Sequence, residues 1–409
     1  MCIPFIGNGL HLNSWLQALK ICESKGGASV AGFRSATIPQ DRLLPGIHGL
    51  RGIATLSVAL YHLVHIVGLA TPDAFGFIGR DFGKGVHLFF VLSGFSLMHS
   101  TEDSMNRPGW VTEYFLKRFF RIAPLFYTVL AGMVLWPFVQ WHMWSVDFNT
   151  LLLNVTFMFG FAPWSGIVWA GWTVGVEMLF YAILPVLLLA VRTRLASLVL
   201  VVVTIAISLS SYSILDVHFE QSAAKYHCNW AYFSFLPNLC FFAFGILAYR
   251  IAQAIQPMSA TLRWILPAVS AVMFSTLILA GHRPTFTGMG RGNVVLWGIG
   301  FAVLCVWQGK RASRWSANRI FEYVGERGFS VYLLHPVLFY LLKDRLQSAY
   351  ASLSAGMGAS AYFVCAVLAL IPLMMLSEIT YRWIEIPGIR TGREIIRRMR
   401  AAAGTPSTA

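Results

Sequence analysis

Apolar residues run along this chain in ten blocks, at roughly 50–69, 86–100, 122–140, 167–191, 195–214, 233–249, 264–281, 293–308, 328–342 and 360–381. A bilayer core needs about 20 predominantly apolar residues per helix, so each block predicts a membrane span. An eleventh run, 150–163, is short and is broken by Gly160 and Pro163. It predicts a re-entrant or interfacial segment rather than a crossing. The runs are continuous and do not alternate with period two, which excludes a membrane β-barrel. The expected fold class is all-α, a polytopic integral membrane protein of about ten helices.

Composition agrees. Of 409 residues 57% are hydrophobic and only 12% are charged, with a mean hydropathy of +0.64. Soluble domains average about 45–50% apolar and about 25% charged. A soluble enzyme, a disordered chain and a nucleic-acid-binding domain are therefore excluded. The formal net charge of +14 is read through topology rather than through an anionic partner. With both termini in the cytoplasm, the inside segments hold 24 of the 31 Lys and Arg residues and the outside loops hold 7. That split follows the positive-inside rule, and one span more or fewer would invert it over part of the chain. Three regions are expected: a cytoplasmic extension over 1–45, a transmembrane domain over 46–388 and a basic cytoplasmic tail over 389–409, lying against anionic headgroups. The six cysteines, Cys2, Cys22, Cys228, Cys240, Cys305 and Cys365, form no CxxC pair and are expected to be small core residues without disulfide or metal.

Ionisable residues inside spans are costly and so become functional candidates. In LRGIATLSVALYH, Arg51 and His62 are separated by 11 residues. That spacing puts them within about 20° on one helix face and about 16 Å apart along the axis. A cation at the cytoplasmic mouth and an imidazole deeper in would suit catalysis; a snorkelling Arg and a hydrogen-bonded core His are the alternative. Glu177 lies near mid-membrane and needs a partner or a proton, with His62, Arg51 and His335 as candidates. His335 precedes Pro336, which should loosen the helix and free backbone groups. Arg118 and Arg121, in KRFFR, share a helix face and could grip phosphate, or could be ordinary inside charge. The outside segments carry Trp141, Trp144, Trp164, Trp169, Trp172, Tyr226, Trp230 and Tyr232, which suit either sugar stacking or an interfacial aromatic belt.

In series these pieces resemble the membrane acyltransferase-3 family. The matching segments are LRGIATLSVALYH at 50–62, GVHLFFVLSGF at 85–95, KRFFRIAPLFY at 117–127, WTVGVEMLFY at 172–181, FGILAYR at 244–250, VGERGFSVYLLHP at 324–336 and YRWIEIP at 381–387. Three positions depart from the family pattern: His87 where Asp is frequent, a single acid, Glu177, where two are frequent, and His48 where an acidic or polar residue is frequent. The resemblance implies O-acyl transfer, most often acetyl, from cytoplasmic acyl-CoA to a hydroxyl of an exopolysaccharide, lipopolysaccharide or lipo-oligosaccharide type of glycan. It implies a multi-pass protein of the bacterial cytoplasmic (inner) membrane, with no metal and no nucleic acid. It implies His62 as the catalytic residue, by general base or acyl-histidine chemistry, and Arg51, Arg118 and Arg121 as the acyl-CoA contacts. Glu177, His335, Trp172 and Tyr332 are expected on the acceptor side. The reading from a different class is a transporter or flippase of a glycan or lipid, which would also use buried Arg, His and Glu.

Overall fold

The computed structural model describes residues 44–141, 146–219, 229–255, 259–281, 291–310 and 313–402. Trp144, Tyr226, Cys2, Cys22, Cys228 and nearly all of the 1–45 extension lie outside these residues, as does the side chain of Trp141. The described residues contain helices and turns and no strand.

The chain enters at α1, Pro45–His62, with proline at the first position, where its missing N–H costs nothing. A π-turn, Leu63–Val67, continues α1 until Gly68 at φ 83° ends it. Then follow α2 (Gly85–Thr101), α3 (Trp110–Trp141), α4 (Phe148–Val155), α5 (Trp172–Ala190), α6 (Arg194–His218) and α7 (Phe235–Ala254). The chain continues through α8 (Leu262–Ala280), α9 (Arg291–Lys310), α10 (Arg319–Glu326), α11 (Gly328–Met357), α12 (Ala361–Thr380) and α13 (Ile386–Ala402).

Among the described residues, 8 helical stretches are long and apolar enough to cross a membrane. One of these, Gly328–Ala402, holds both α11 and α12, which fold back on each other around Gly358 at φ 57°. The 17-residue α2 falls just below the usual length and is buried between its neighbours. With α11 and α12 taken separately and α2 included, the helices correspond to the ten expected blocks. The eleventh run becomes α4, only 8 residues, followed by a left-handed Phe157 and a tight turn over Met158–Gly160, so it does not cross.

The core forms where α2, α5 and α7 meet. Phe180 stacks on Phe242 at 3.9 Å between ring centroids, and Phe90 stacks on the other side at 4.9 Å. The α2 and α7 backbones nearly touch: a Cβ on Gly245 would lie 2.1 Å from the Val91 carbonyl oxygen. Small residues at such crossings let helices approach where hydrophobic burial gives no drive, because lipid is as apolar as the core. The outer edge is α6 and α8, whose exposed residues, such as Val199, Val202, Trp264 and Val272, suit contact with acyl chains.

The described part of the tail, as far as Ala402, lies in a helix that begins at Ile386. A π-turn, Tyr381–Glu385, joins α12 directly to α13, so the expected boundary at 388/389 falls inside a helix. One face of α13 docks on α3, where Gly388 and Gly392 admit Phe120 and Pro124 and Arg400 makes two 2.6 Å bonds to Glu113. Arg390, Arg393, Arg397 and Arg398 are exposed on the remaining face.

Candidate active site

His62 ends α1 and stands half-buried, while His335, about two turns into α11, is 1% exposed. His335 Nε2 lies 2.8 Å from His62 Nδ1. On its other side, His335 Nδ1 lies 3.2 Å from the Val331 carbonyl oxygen. It also reaches the Tyr332 carbonyl, the one that Pro336 cannot bond because it has no N–H. The proline thus leaves one carbonyl, that of Tyr332, free for an imidazole.

These contacts fix the tautomers. A carbonyl only accepts, so His335 Nδ1 carries a proton. Buried without a carboxylate partner, His335 is neutral, and its Nε2 offers a lone pair. His62 Nδ1–H therefore donates to it, and the lone pair of His62 sits on Nε2. The assignment comes from the hydrogen-bond network. A two-imidazole relay thus presents one basic nitrogen from a half-buried residue backed by a fully buried one.

Arg51 projects from the same face of α1, three helical turns before His62. It interacts electrostatically with Arg118 and Arg121 of α3 and with Glu177 and Tyr181 of α5. Arg118 donates to Ser100 Oγ at 3.1 Å and lies 5.9 Å and 6.0 Å from the ring centroids of Tyr114 and Tyr181. Its Nε is buried and has no partner. Among the described residues none of these three arginines makes a salt bridge, whereas the partly buried Arg80, Arg250, Arg327 and Arg400 are all ion-paired. Three guanidinium groups with free donors converge, which is the donor set an anion such as phosphate requires.

Glu177 is not partnered as expected. One oxygen accepts from Ser93 Oγ at 2.7 Å and from the Tyr181 hydroxyl. Tyr181 follows Glu177 by one turn on α5, and Ser93 faces it from α2, so two hydroxyls hold the carboxylate and only Arg51 of the three candidates is in electrostatic reach. Tyr332 links this group to the histidines: it hydrogen-bonds the Thr173 side chain, feels the charge of Glu177 and lies 5.6 Å from the His335 ring. Trp172 belongs to a neighbouring aromatic cluster, 4.9 Å from Phe233 and 5.6 Å from Tyr232. His87 sits in the same cluster, 5.3 Å from Tyr232 and 4.4 Å from Phe241. An imidazole fits between aromatic rings where a carboxylate would be costly, which accounts for His in place of Asp. Trp230 joins the cluster through Phe233, whereas Trp169 pairs with Tyr340 and Trp164 with Phe219.

Sequence reasoning passed over Ser93, Ser100, Thr173 and Tyr181. Hydroxyls are frequent in helices, and the one usable signal was the i, i+4 spacing of Glu177 and Tyr181. Among the described residues no group of three or more His, Cys, Asp or Glu side chains converges as metal ligands do.

The chain is similar to three curated proteins. It is 21% identical over 378 residues to a peptidoglycan O-acetyltransferase of Listeria monocytogenes, covering 86% of this chain and 56% of that protein. It is 29% identical over 218 residues to a putative acetyltransferase of Acidianus two-tailed virus, covering 52% and 59%. It is 26% identical over 391 residues to a putative membrane-bound transacylase of Komagataeibacter xylinus, covering 87% and 85%. The chain thus spans less than two thirds of the first two relatives. No solved structure matches it. The family model described as an acyltransferase domain matches residues 44–378, from the start of α1 to the end of α12. The chain belongs to the acyltransferase-3 family.

Proposed function

We propose that this protein is a membrane O-acyltransferase that moves an acetyl group from acetyl-CoA to a hydroxyl of a glycan. The observation that carries the reading is the His335–His62 relay, which leaves His62 Nε2 as a base. In the proposed reaction His62 Nε2 takes the proton of the acceptor hydroxyl as the oxygen attacks the thioester carbonyl carbon. The carbon–sulfur bond breaks, and the imidazolium returns its proton to the thiolate, giving ester and free CoA. The relay favours this general-base route over an acyl-histidine, because His335 holds the His62 ring and stabilises the proton it gains.

Arg51, Arg118 and Arg121 bind the phosphates of CoA, which hydrocarbon would exclude. The reach from Arg51 to His62, about 16 Å along the helix, is one that an extended pantetheine arm covers. Glu177, Tyr332 and the Trp172 cluster stand on the acceptor side. The names of two relatives, an O-acetyltransferase of peptidoglycan and a membrane-bound transacylase, support an acyl group and a glycan acceptor. The test is to incubate the purified protein in lipid with radiolabelled acetyl-CoA and a panel of glycans. Label is expected in a glycan and CoA in solution. Transport of a glycan without consumption of acetyl-CoA would contradict the reading.

A further inference from the structure

Among the described residues most buried or half-buried carboxylates have an assigned partner: Glu113 pairs with Arg400, Glu102 with Arg250, Asp81 with Arg80 and Lys84, and Glu378 with Arg327 and Arg382. Glu385 does not fit this pattern. It is 1% exposed, makes no ion pair, and its side chain is held by the Ser330 hydroxyl, which in turn accepts from Thr380 Oγ1 at 2.9 Å. The π-turn Tyr381–Glu385 aims it inward; such turns are rare and cluster at functional sites.

The turn packs on α3 beside the proposed donor arginines. A Cβ on Gly388 would lie 2.9 Å from the Phe120 carbonyl oxygen and 2.6 Å from Pro124, so the backbone after Glu385 lies against the residues that bracket Arg121. Arg121 and Glu385 interact electrostatically, and among the described residues Arg121 makes no ion pair. The other nearby cation, Arg327, is already bound to Glu378 and Glu326. Burial pushes the Glu385 carboxyl up to about 7, so it is ionised in part at neutral pH and more fully above it. Once ionised it lies in reach of the Arg121 charge, and among the described residues its side chain is held by Ser330 rather than by that guanidinium.

We propose that Glu385 sets the affinity of the donor site by acting through Arg121. It offsets part of the repulsion among Arg51, Arg118 and Arg121 while leaving the Arg121 N–H groups free for phosphate. A negative charge there also weakens the hold on an anionic product, so CoA leaves. The inference rests on reading the three arginines as the phosphate site.

The test is CoA binding to the full-length protein in lipid, measured by calorimetry at about pH 8.5, where the Glu385 carboxyl is ionised, together with the KM for acetyl-CoA. Glu385→Gln keeps an acceptor for Ser330 and removes the charge. It is expected to tighten CoA binding about threefold to tenfold and to lower the donor KM, with the acceptor KM unchanged. Glu385→Met carries the same expectation if the Gln variant fails to fold. Ser330→Ala removes a hydrogen bond that favours the ionised carboxyl, so a smaller gain in the same direction is expected. In an Arg121→Gln background, the gain from Glu385→Gln should shrink. Unchanged or weaker CoA binding by a well-folded Glu385→Gln protein overturns the proposal, as does an equal gain in the Arg121→Gln background. If Arg121→Gln alone leaves CoA binding unchanged, the donor-site reading fails, and this inference fails with it.

Discussion

Which nitrogen of His62 holds the proton decides what the site can do, and the answer comes from a residue 273 positions away. The carbonyl of Val331 sets the tautomer of His335, and His335 sets that of His62. The proposed base works only when the pair is neutral. As pH falls the first added proton occupies the relay and removes the lone pair, so turnover is expected to drop on the acid side and to be regained on return to neutral pH; a pH–rate profile checks this. A profile that stays flat down to the lowest pH at which the protein remains folded would contradict base catalysis. For the arginines, Arg118→Gln or Arg121→Gln should raise the KM for acetyl-CoA more than that for the acceptor. Each lost charge-assisted contact is worth about 1.5–3 kcal/mol, and Lys should rescue only in part because it lacks the planar fork. Steady-state kinetics of the two variants read this directly. Arg51, His62 and His335 stand out in the sequence because an ionisable group inside an apolar block is conspicuous, and Arg118 and Arg121, just before the block 122–140, stand out by their i, i+3 spacing. The hydroxyl partners of Glu177 do not, because nothing in one sequence says which of many Ser and Tyr residues faces an acid across two helices.

Helices place these groups through backbone contacts that hydropathy does not report. The α2–α7 crossing is one: Gly94 and Gly245 meet so closely that a Cβ on Gly94 would lie 2.3 Å from the Phe242 carbonyl oxygen. Gly245→Val should therefore push the helices apart, destabilise the fold by about 1–3 kcal/mol and lower the melting temperature in lipid, even though valine is the more apolar residue. An unchanged melting temperature would show that the crossing yields. The apolar blocks predicted which segments are helical but not where they stop. The block 122–140 is part of the 32-residue α3, whose first turns are polar enough to leave the hydrocarbon yet remain helical, and these turns carry Arg118 and Arg121. The π-turns after His62 and before Ile386 were also unreadable, since a single extra residue per turn leaves no mark on an apolar pattern.

For the whole protein, the charge split and the RxxR motif predict a donor site that opens to the cytoplasm, with His62 deeper and the aromatic cluster beyond it. In sealed vesicles with the cytoplasmic face outward, added acetyl-CoA should acetylate an enclosed or lipid-embedded glycan. In the opposite orientation it should fail until the membrane is permeabilised. Equal activity from both sides would defeat the one-sided donor route. The most direct test of the account as a whole compares the purified protein with His62→Ala in the same lipid, scoring labelled acetyl transferred from acetyl-CoA to glycan. Alanine is smaller than the imidazole and favours the helix, so the variant should fold, at a cost of about 1–3 kcal/mol for the His335 nitrogen left without its partner, while its turnover falls by about 10²–10⁴. Near-normal transfer by a well-folded His62→Ala protein would contradict the central claim that this imidazole, oriented by His335, takes the acceptor proton.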